Sequence, residues 1–262
     1  MADLDLNDTR NPERAASNGL HHDRDGADPW SHARVYLTPI APPATLGLFG
    51  FFASTALVST WLLHWWGSAA SPPTMFEVAA FFGGLAQFAS GLWSFRARDY
   101  VGSALLTMWG TYWMAWGLLE GIAAAGVIRI PPESVANTGF AVWFIPLGLF
   151  TLWGSVAAIR ENVPLFMVLF CVGAGCWAIC GGFWTGIPVW VHVGAWMFLF
   201  GAFFAWYTGA MILLEYSWGR VILPLGVLPR LMKLPARANV PGTVLSHPVE
   251  YLSGQPGTRR VP

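Results

Sequence analysis

The chain has 262 residues, 55% apolar and 11% charged, and its 14 basic and 14 acidic side chains cancel. Soluble domains carry about a quarter charged residues, so 16 Trp, 18 Phe and a mean hydropathy of +0.50 exclude an ordinary soluble domain, while such hydrophobicity also excludes disorder of the whole chain. Lys233 is the single lysine and there is no net positive charge, which leaves no electrostatic footprint for nucleic acid.

Charge divides the chain into three zones. Residues 1–44 carry seven acidic and four basic side chains, with no hydrophobic periodicity, and read as a disordered polar tail. His21 and His22 stand beside Asp23 and Asp25 there, but solvated residues without convergent partners make no metal site. No short apolar run follows the amino terminus, so a signal peptide is not expected. Residues 45–215 hold only 10 charges in 171 positions, and residues 216–262 hold seven, six of them basic.

The middle zone resolves into six apolar runs, at about 45–66, 75–95, 101–127, 138–159, 164–184 and 190–215. Each is long enough to cross ~30 Å of hydrocarbon at ~20 residues. Breaks such as GSAASPPT, RIPPES and TGIPV contain proline, which ends helices because it lacks an N–H. Backbone groups in lipid must be satisfied internally, and the ~10-residue alternation of a membrane barrel is missing, so the runs are helices. The expected fold is an all-α, polytopic membrane protein with six transmembrane helices.

Six crossings place both tails on one side. The breaks on that side hold Arg96, Arg98 and Arg160, and Arg220, Arg230, Lys233 and Arg237 follow the last run, whereas the opposite breaks hold only Arg129. The positive-inside rule therefore makes both termini cytoplasmic. Two short echoes suggest two inverted three-helix repeats, an arrangement common in transport proteins. Leu46–Phe49 returns as Leu147–Phe150, and Leu118–Glu120 returns as Leu213–Glu215.

Charged groups at membrane depth are costly, by ~2.5–3.5 kcal/mol on insertion scales. Glu77 and Glu215 fall near helix ends, where they snorkel to water. Glu120 lies deeper and shares a helical face with Trp109, Trp113 and Trp116 at spacings of four, three and four. Facing a pore, it is a candidate proton or cation site; facing a neighbouring helix, it is a neutral, hydrogen-bonded side chain. Gln87, among Gly83, Gly84, Ala86, Ser90 and Gly91, either lines a pathway or bridges closely packed helices. His64 and His192 lie at outer helix ends, and no paired mid-membrane histidines suggest haem. Cys171, Cys176 and Cys180 share one run at spacings that are not CxxC, so they read as packing residues. No metal, cofactor or enzyme motif is present, and catalysis is not expected.

Four strings carry a family resemblance: LeuGlyLeuPheGlyPhe at 46–51, PhePheGlyGlyLeuAlaGlnPhe at 81–88, GlyLeuTrpSerPheArg at 91–96 and TrpGlyArgValIleLeuProLeuGly at 218–226. In their order and spacing the chain resembles the acetate uptake transporter family, that of the bacterial acetate–succinate permease and the yeast ammonia/acetate exporters, over about residues 42–227. The resemblance implies a six-helix protomer in a homohexamer of the cell (inner) membrane, each protomer with its own pathway for small carboxylates, working as a channel or a proton-linked carrier. By motif, the family's narrowing Phe falls on Phe51, its Tyr on Trp109 and its Leu on Val172. The family's substrate-linked Asn-Pro-Ala-Pro-Leu-Gly falls on Pro42, Pro43, Ala44, Thr45, Leu46 and Gly47, with the Asn and second Pro replaced. Losing the Asn removes an amide donor, and Trp for Tyr removes a hydroxyl. Two readings follow: a pathway for acetate-like carboxylates, or a structural or assembly subunit of a larger membrane complex that keeps the transporter fold.

Overall fold

The computed structural model of the chain describes residues 40–68, 71–130, 135–224 and 226. Residues 1–39, with the expected acidic tail and its His21 and His22, lie outside these, as does the basic tail from residue 227. Six helical stretches and no strand make up the described residues.

Local chemistry sets the helix ends. Helix α1 (Ala44–Leu62) starts directly after Pro42 and Pro43, where a missing N–H costs nothing. Helix α2 runs over 72–97: an α-helical start at Pro72–Ala79, wider π-type turns at Ala80–Ala86, and an α-helical finish at Gln87–Ala97. It stops at Arg98, whose φ of 58° breaks the helical path. Helices α3 (Tyr100–Ala124), α4 (Thr138–Ala158) and α5 (Val163–Thr185) are each capped by a side-chain oxygen. Asp99 accepts from the Gly102 N–H at 2.7 Å, Asn137 from Phe140 at 3.1 Å and Asn162 from Leu165 at 2.8 Å. Helix α6 (Pro188–Trp218) is the longest and ends at Gly219, whose positive φ suits glycine.

These stretches follow the six predicted runs closely, except that α6 continues through Trp218 and the π-type turns in α2 were not foreseen. Five of the stretches are long and apolar enough to cross a membrane: Ala44–Leu62, Thr74–Ala97, Thr138–Ala158, Val163–Thr185 and Pro188–Trp218. Helix α3 has the length at 25 residues, but its Trp, Tyr, Ser, Thr and Gly residues dilute its hydropathy. The bundle carries large apolar side chains outward, among them Trp153, Phe81 and Leu118, as a surface bathed in lipid rather than water does.

Helix α5 packs against α4 and α6, α6 against α1, α1 against α2, α2 against α3, and α3 more lightly against α4. The six helices thus close a ring around a central axis. The α1–α2–α3 side of the ring is tight because glycines let backbones touch. A Cβ on Gly110 of α3 would sit 2.6 Å from the backbone nitrogen of Phe88 on α2, and one on Gly50 of α1 would strike the Phe82 carbonyl oxygen. Neither neighbour is a side chain that can swing away. Replacing Gly110 by Ala should therefore lower the thermal midpoint of the detergent-solubilised protein, at an overpacking cost of about 1–3 kcal/mol. Gly121→Ala on the same helix meets nothing within 4 Å and should leave the midpoint equal or slightly higher, since Ala favours a helix. Equal losses in both variants would show that close backbone approach is not what Gly110 provides.

Candidate functional site

Four helices turn regularly spaced side chains toward the axis. From α3 come Gly102, Leu105, Leu106 and Trp109; from α5 come Leu165, Val168, Leu169 and Val172. Both sets follow the i, i+3, i+4, i+7 rule, so each forms one continuous stripe. Ala44, Leu48 and Phe51 of α1 and Thr208 and Ile212 of α6 complete the wall. Together they enclose a cavity with about 90 Å³ of room for water, several times the ~10–15 Å³ that a single water needs.

Phe51, Trp109 and Val172 also line the cavity and are deeply buried, with exposures of 4%, 2% and 1%. The Phe51 and Trp109 rings meet edge to face with centroids 5.7 Å apart, and Phe198 meets Trp109 from α6 at 6.0 Å. The indole N–H of Trp109 donates to the Thr151 hydroxyl on α4 at 3.0 Å. A buried indole N–H needs such a partner, and this one fixes the ring across the axis. Beyond Trp109 the axis is filled with rings rather than space. Tyr112 packs on Trp109 at 5.1 Å, Trp116 stacks on Phe76 at 4.7 Å, and Phe140 meets Trp116 at 5.3 Å and Phe183 at 4.8 Å.

Toward the other end of the bundle the cavity is lined by Pro42 and Pro43 before α1, by Asp99 in the α2–α3 turn and by Glu161 in the α4–α5 turn. The Ser90 hydroxyl donates to the Pro43 carbonyl at 2.6 Å, which holds this segment against α2. Past α6 the chain doubles back over the same end: the Tyr207 hydroxyl donates to the Pro224 carbonyl at 3.1 Å, and the Val163 N–H to the Gly226 carbonyl at 3.3 Å. Burial pushes the Glu161 carboxyl up to about 8, and the nearby charge of Asp99 pushes in the same direction. Burial also raises Asp99, against the opposing pull of its hydrogen bonds from the Gly102 and Val101 N–H groups. Gln87, the first residue after the π-type turns, lines the cavity at 1% exposure, and its Oε1 has no hydrogen-bond partner among the described residues.

Comparison with known proteins places this architecture. The model of the GPR1/FUN34/yaaH family matches residues 27–230. The chain belongs to that family. Among its relatives, the glyoxylate pathway regulator of Yarrowia lipolytica is 30% identical, the match covering 63% of this chain and 61% of that one, so the chain spans about three fifths of that relative's length. The succinate-acetate/proton symporter SatP of Escherichia coli is 26% identical over 72% of this chain and 97% of its own. A solved structure of the bacterial acetate channel SatP superposes with a TM-score of 0.65, at 23% identity, covering 72% of this chain and all of that one. The resemblance read from the four strings is borne out, and with it an all-helical membrane fold.

Within this family member, the residues predicted from the sequence separate into two groups. Phe51, Trp109, Val172, Gln87, Pro42, Pro43 and Ala44 come together on one cavity. Thr45, Leu46 and Gly47 do not line it: Leu46 is exposed, and Gly47 packs against Ser90 and Leu106. Glu120 is also away from it, half-buried, accepting from the Trp116 indole N–H at 3.1 Å. Glu215 is buried rather than snorkelling, with Oε2 unpartnered among the described residues. His64 and His192 face one another at 5.2 Å, a pairing that their distant sequence positions hid. No role for Asp99 or Glu161 came from the sequence, where both fall in the breaks between the predicted runs. Extending the Trp109 and Val172 stripes by two helical turns points toward the turns that hold them.

The raised carboxyl has a consequence for stability. Because the folded chain holds the Glu161 proton more tightly than the unfolded chain, this contribution is fully present below the ordinary value of 4.5 and is lost as pH rises through about 8. Thermal melts across that window should show a midpoint that falls toward alkaline pH, and Glu161→Gln should flatten the alkaline part of the slope. An unchanged slope in the variant would mean that Glu161 titrates normally.

Proposed function

We propose that the chain forms a multi-pass pathway for acetate and other small carboxylates across the inner membrane, with Phe51, Trp109 and Val172 as its constriction. The observation that carries this reading is the axial cavity: four helices wall it with apolar stripes, and those three buried side chains are part of its lining, with the Phe51 and Trp109 rings in contact. An apolar constriction admits the neutral acid more cheaply than the anion, because an ion gives up far more hydration on entering it. Proton linkage therefore follows from the barrier itself. The activity named for the Escherichia coli relative supports the same substrate class.

The open end lies with residues 40–44 and with the α2–α3 and α4–α5 turns, beside Arg96, Arg98, Arg160 and Arg220. With six crossings, the positive-inside rule makes this the cytoplasmic end and puts both termini there. The outward-facing aromatic and aliphatic residues supply surface for lipid and for further copies of the chain, in line with a homohexamer in which each protomer keeps its own pathway.

Flux of labelled acetate into proteoliposomes containing the full chain tests the reading. Uptake should saturate and should rise as the pH outside is lowered. Trp109→Ala removes the ring that spans the axis, so it should raise flux several-fold and admit longer monocarboxylates. Absence of flux from both proteins, with membrane insertion verified, would sink the pathway and favour an assembly role for the fold.

A further inference from the structure

We propose that His64 and His192 form a binding site for a divalent transition-metal cation, zinc being the ion whose geometry fits best, at the end of the bundle opposite the mouth of the cavity. The ion ties the end of α1 to the start of α6. The site does not depend on what passes through the cavity.

Three observations point to the site. The first is the meeting itself. Helix α1 packs along α6, and where the first ends and the second begins the two imidazole rings stand with centres 5.2 Å apart and planes at 90°. Zinc takes imidazole nitrogen at about 2.0–2.1 Å and prefers tetrahedral angles, which places the centres of two such rings about 5 Å apart. An imidazole turns through a broad range about its Cβ–Cγ bond, so the backbone sets the spacing and a side-chain rotation aims each nitrogen. The second observation is the backbone at His64, whose φ is 57°. In that left-handed region a Cβ crowds the following carbonyl oxygen, and side chains held there gather at ligand sites. The third is that a clasp of rings between these helices does not need histidine. Trp65 and Trp196 meet beside the pair with centres 5.5 Å apart, and they supply an apolar contact of that kind already.

Access and charge suit a cation. His64 is exposed and His192 half-buried, so an ion reaches the pair from water. Helix α1 carries no charged side chain and α6 none before Glu215, so neither helix brings a lysine or arginine that repels the ion. A neutral imidazole keeps one nitrogen as an acceptor, and imidazole suits zinc, copper and nickel. No third His, Cys, Asp or Glu joins the pair among the described residues. Water therefore fills the remaining positions, which makes this an exchangeable site, unlike a structural zinc centre with its four protein ligands. A bound ion links two helices whose inner faces line the cavity, through Leu48 and Phe51 of α1 and Thr208 and Ile212 of α6.

The test is zinc titration of the full, untagged chain in detergent after a chelator has stripped bound metal, followed by heat of binding and by thermal midpoint. Free zinc at about a hundred times its dissociation constant should raise the midpoint by about 5 °C. His192→Phe keeps a ring against His64 but removes a ligand, and His64→Asn places there a residue that tolerates the left-handed backbone. Each should leave the metal-free midpoint close to that of the unaltered protein. Each should also weaken zinc binding more than about tenfold, since loss of even an outer-shell partner costs roughly 10–100-fold. The adjacent imidazoles of His21 and His22 are the competing ligands, and a chain with His21→Ala and His22→Ala together should keep the midpoint shift. Unchanged zinc affinity in both His192→Phe and His64→Asn would overturn the site. A midpoint shift that disappears with His21→Ala and His22→Ala, or no zinc binding by the unaltered chain, would overturn it equally. None of these readouts is a flux, so the carboxylate pathway stands or falls separately.

Discussion

The contact of backbone against backbone on the α1–α2–α3 side of the ring is the constraint on which the rest of the structure depends. Gly50 lies under the Phe82 carbonyl and Gly110 against the main chain of Phe88. Helices in lipid gain little from hydrophobic burial against one another, so close approach through small residues and the dispersion it brings carry much of their association. At that spacing the Phe51 and Trp109 rings meet edge to face on the axis. Wider spacing would separate the rings and extend the cavity past them. The π-type turns at Ala80–Ala86 belong to the same arrangement, since the altered winding sets the direction in which Gln87 leaves α2.

The ring of helices has a different character on each side of Trp109. Toward residues 40–44 its axis is an open cavity walled by Leu and Val, with the few polar groups at defined heights: Gln87, Thr208, and then the two acids of the turns. Beyond Trp109 the axis is occupied by Tyr112, Trp116, Phe140, Phe144 and Phe183 in mutual contact. Glu120 belongs to this second region, where its hydrogen bond to Trp116 ties it to the aromatic stack rather than to the cavity. From the open side inward, the polar groups of the turns and Thr208 therefore come before the apolar side chains Phe51, Trp109 and Val172.

The outline of this fold was legible because its signals are local. Hydropathy and the proline-containing breaks mark the runs and their ends within a few residues; the caps Asp99, Asn137 and Asn162 and the glycines after α5 and α6 act over the same short range and emerged in the folded chain. The placing of Phe51 and Trp109 together was legible for another reason: both were picked out by strings that identify the family, and in the folded chain their rings meet. Much of the mouth was not. Asp99 and Glu161 are 62 positions apart and lie in short turns that, read along the chain, look like ordinary solvated breaks. Their shared cavity arises from the ring order of the helices, which no local pattern encodes. His64 and His192 met for the same reason, through the packing of α1 on α6.

By itself, then, the sequence determined the solvent this protein lives in, the number and length of its helical runs and the family it belongs to, because hydropathy and breakers act over one or two helical turns. Only the tertiary structure decided which carboxylates face the cavity, that Glu120 stands apart from it, and that Glu215 is buried. Those outcomes depend on the rotation of each helix about its own axis. That rotation is set by the close approach at a few glycines and by the fit of large rings between neighbours, and those are contacts between residues distant in the chain.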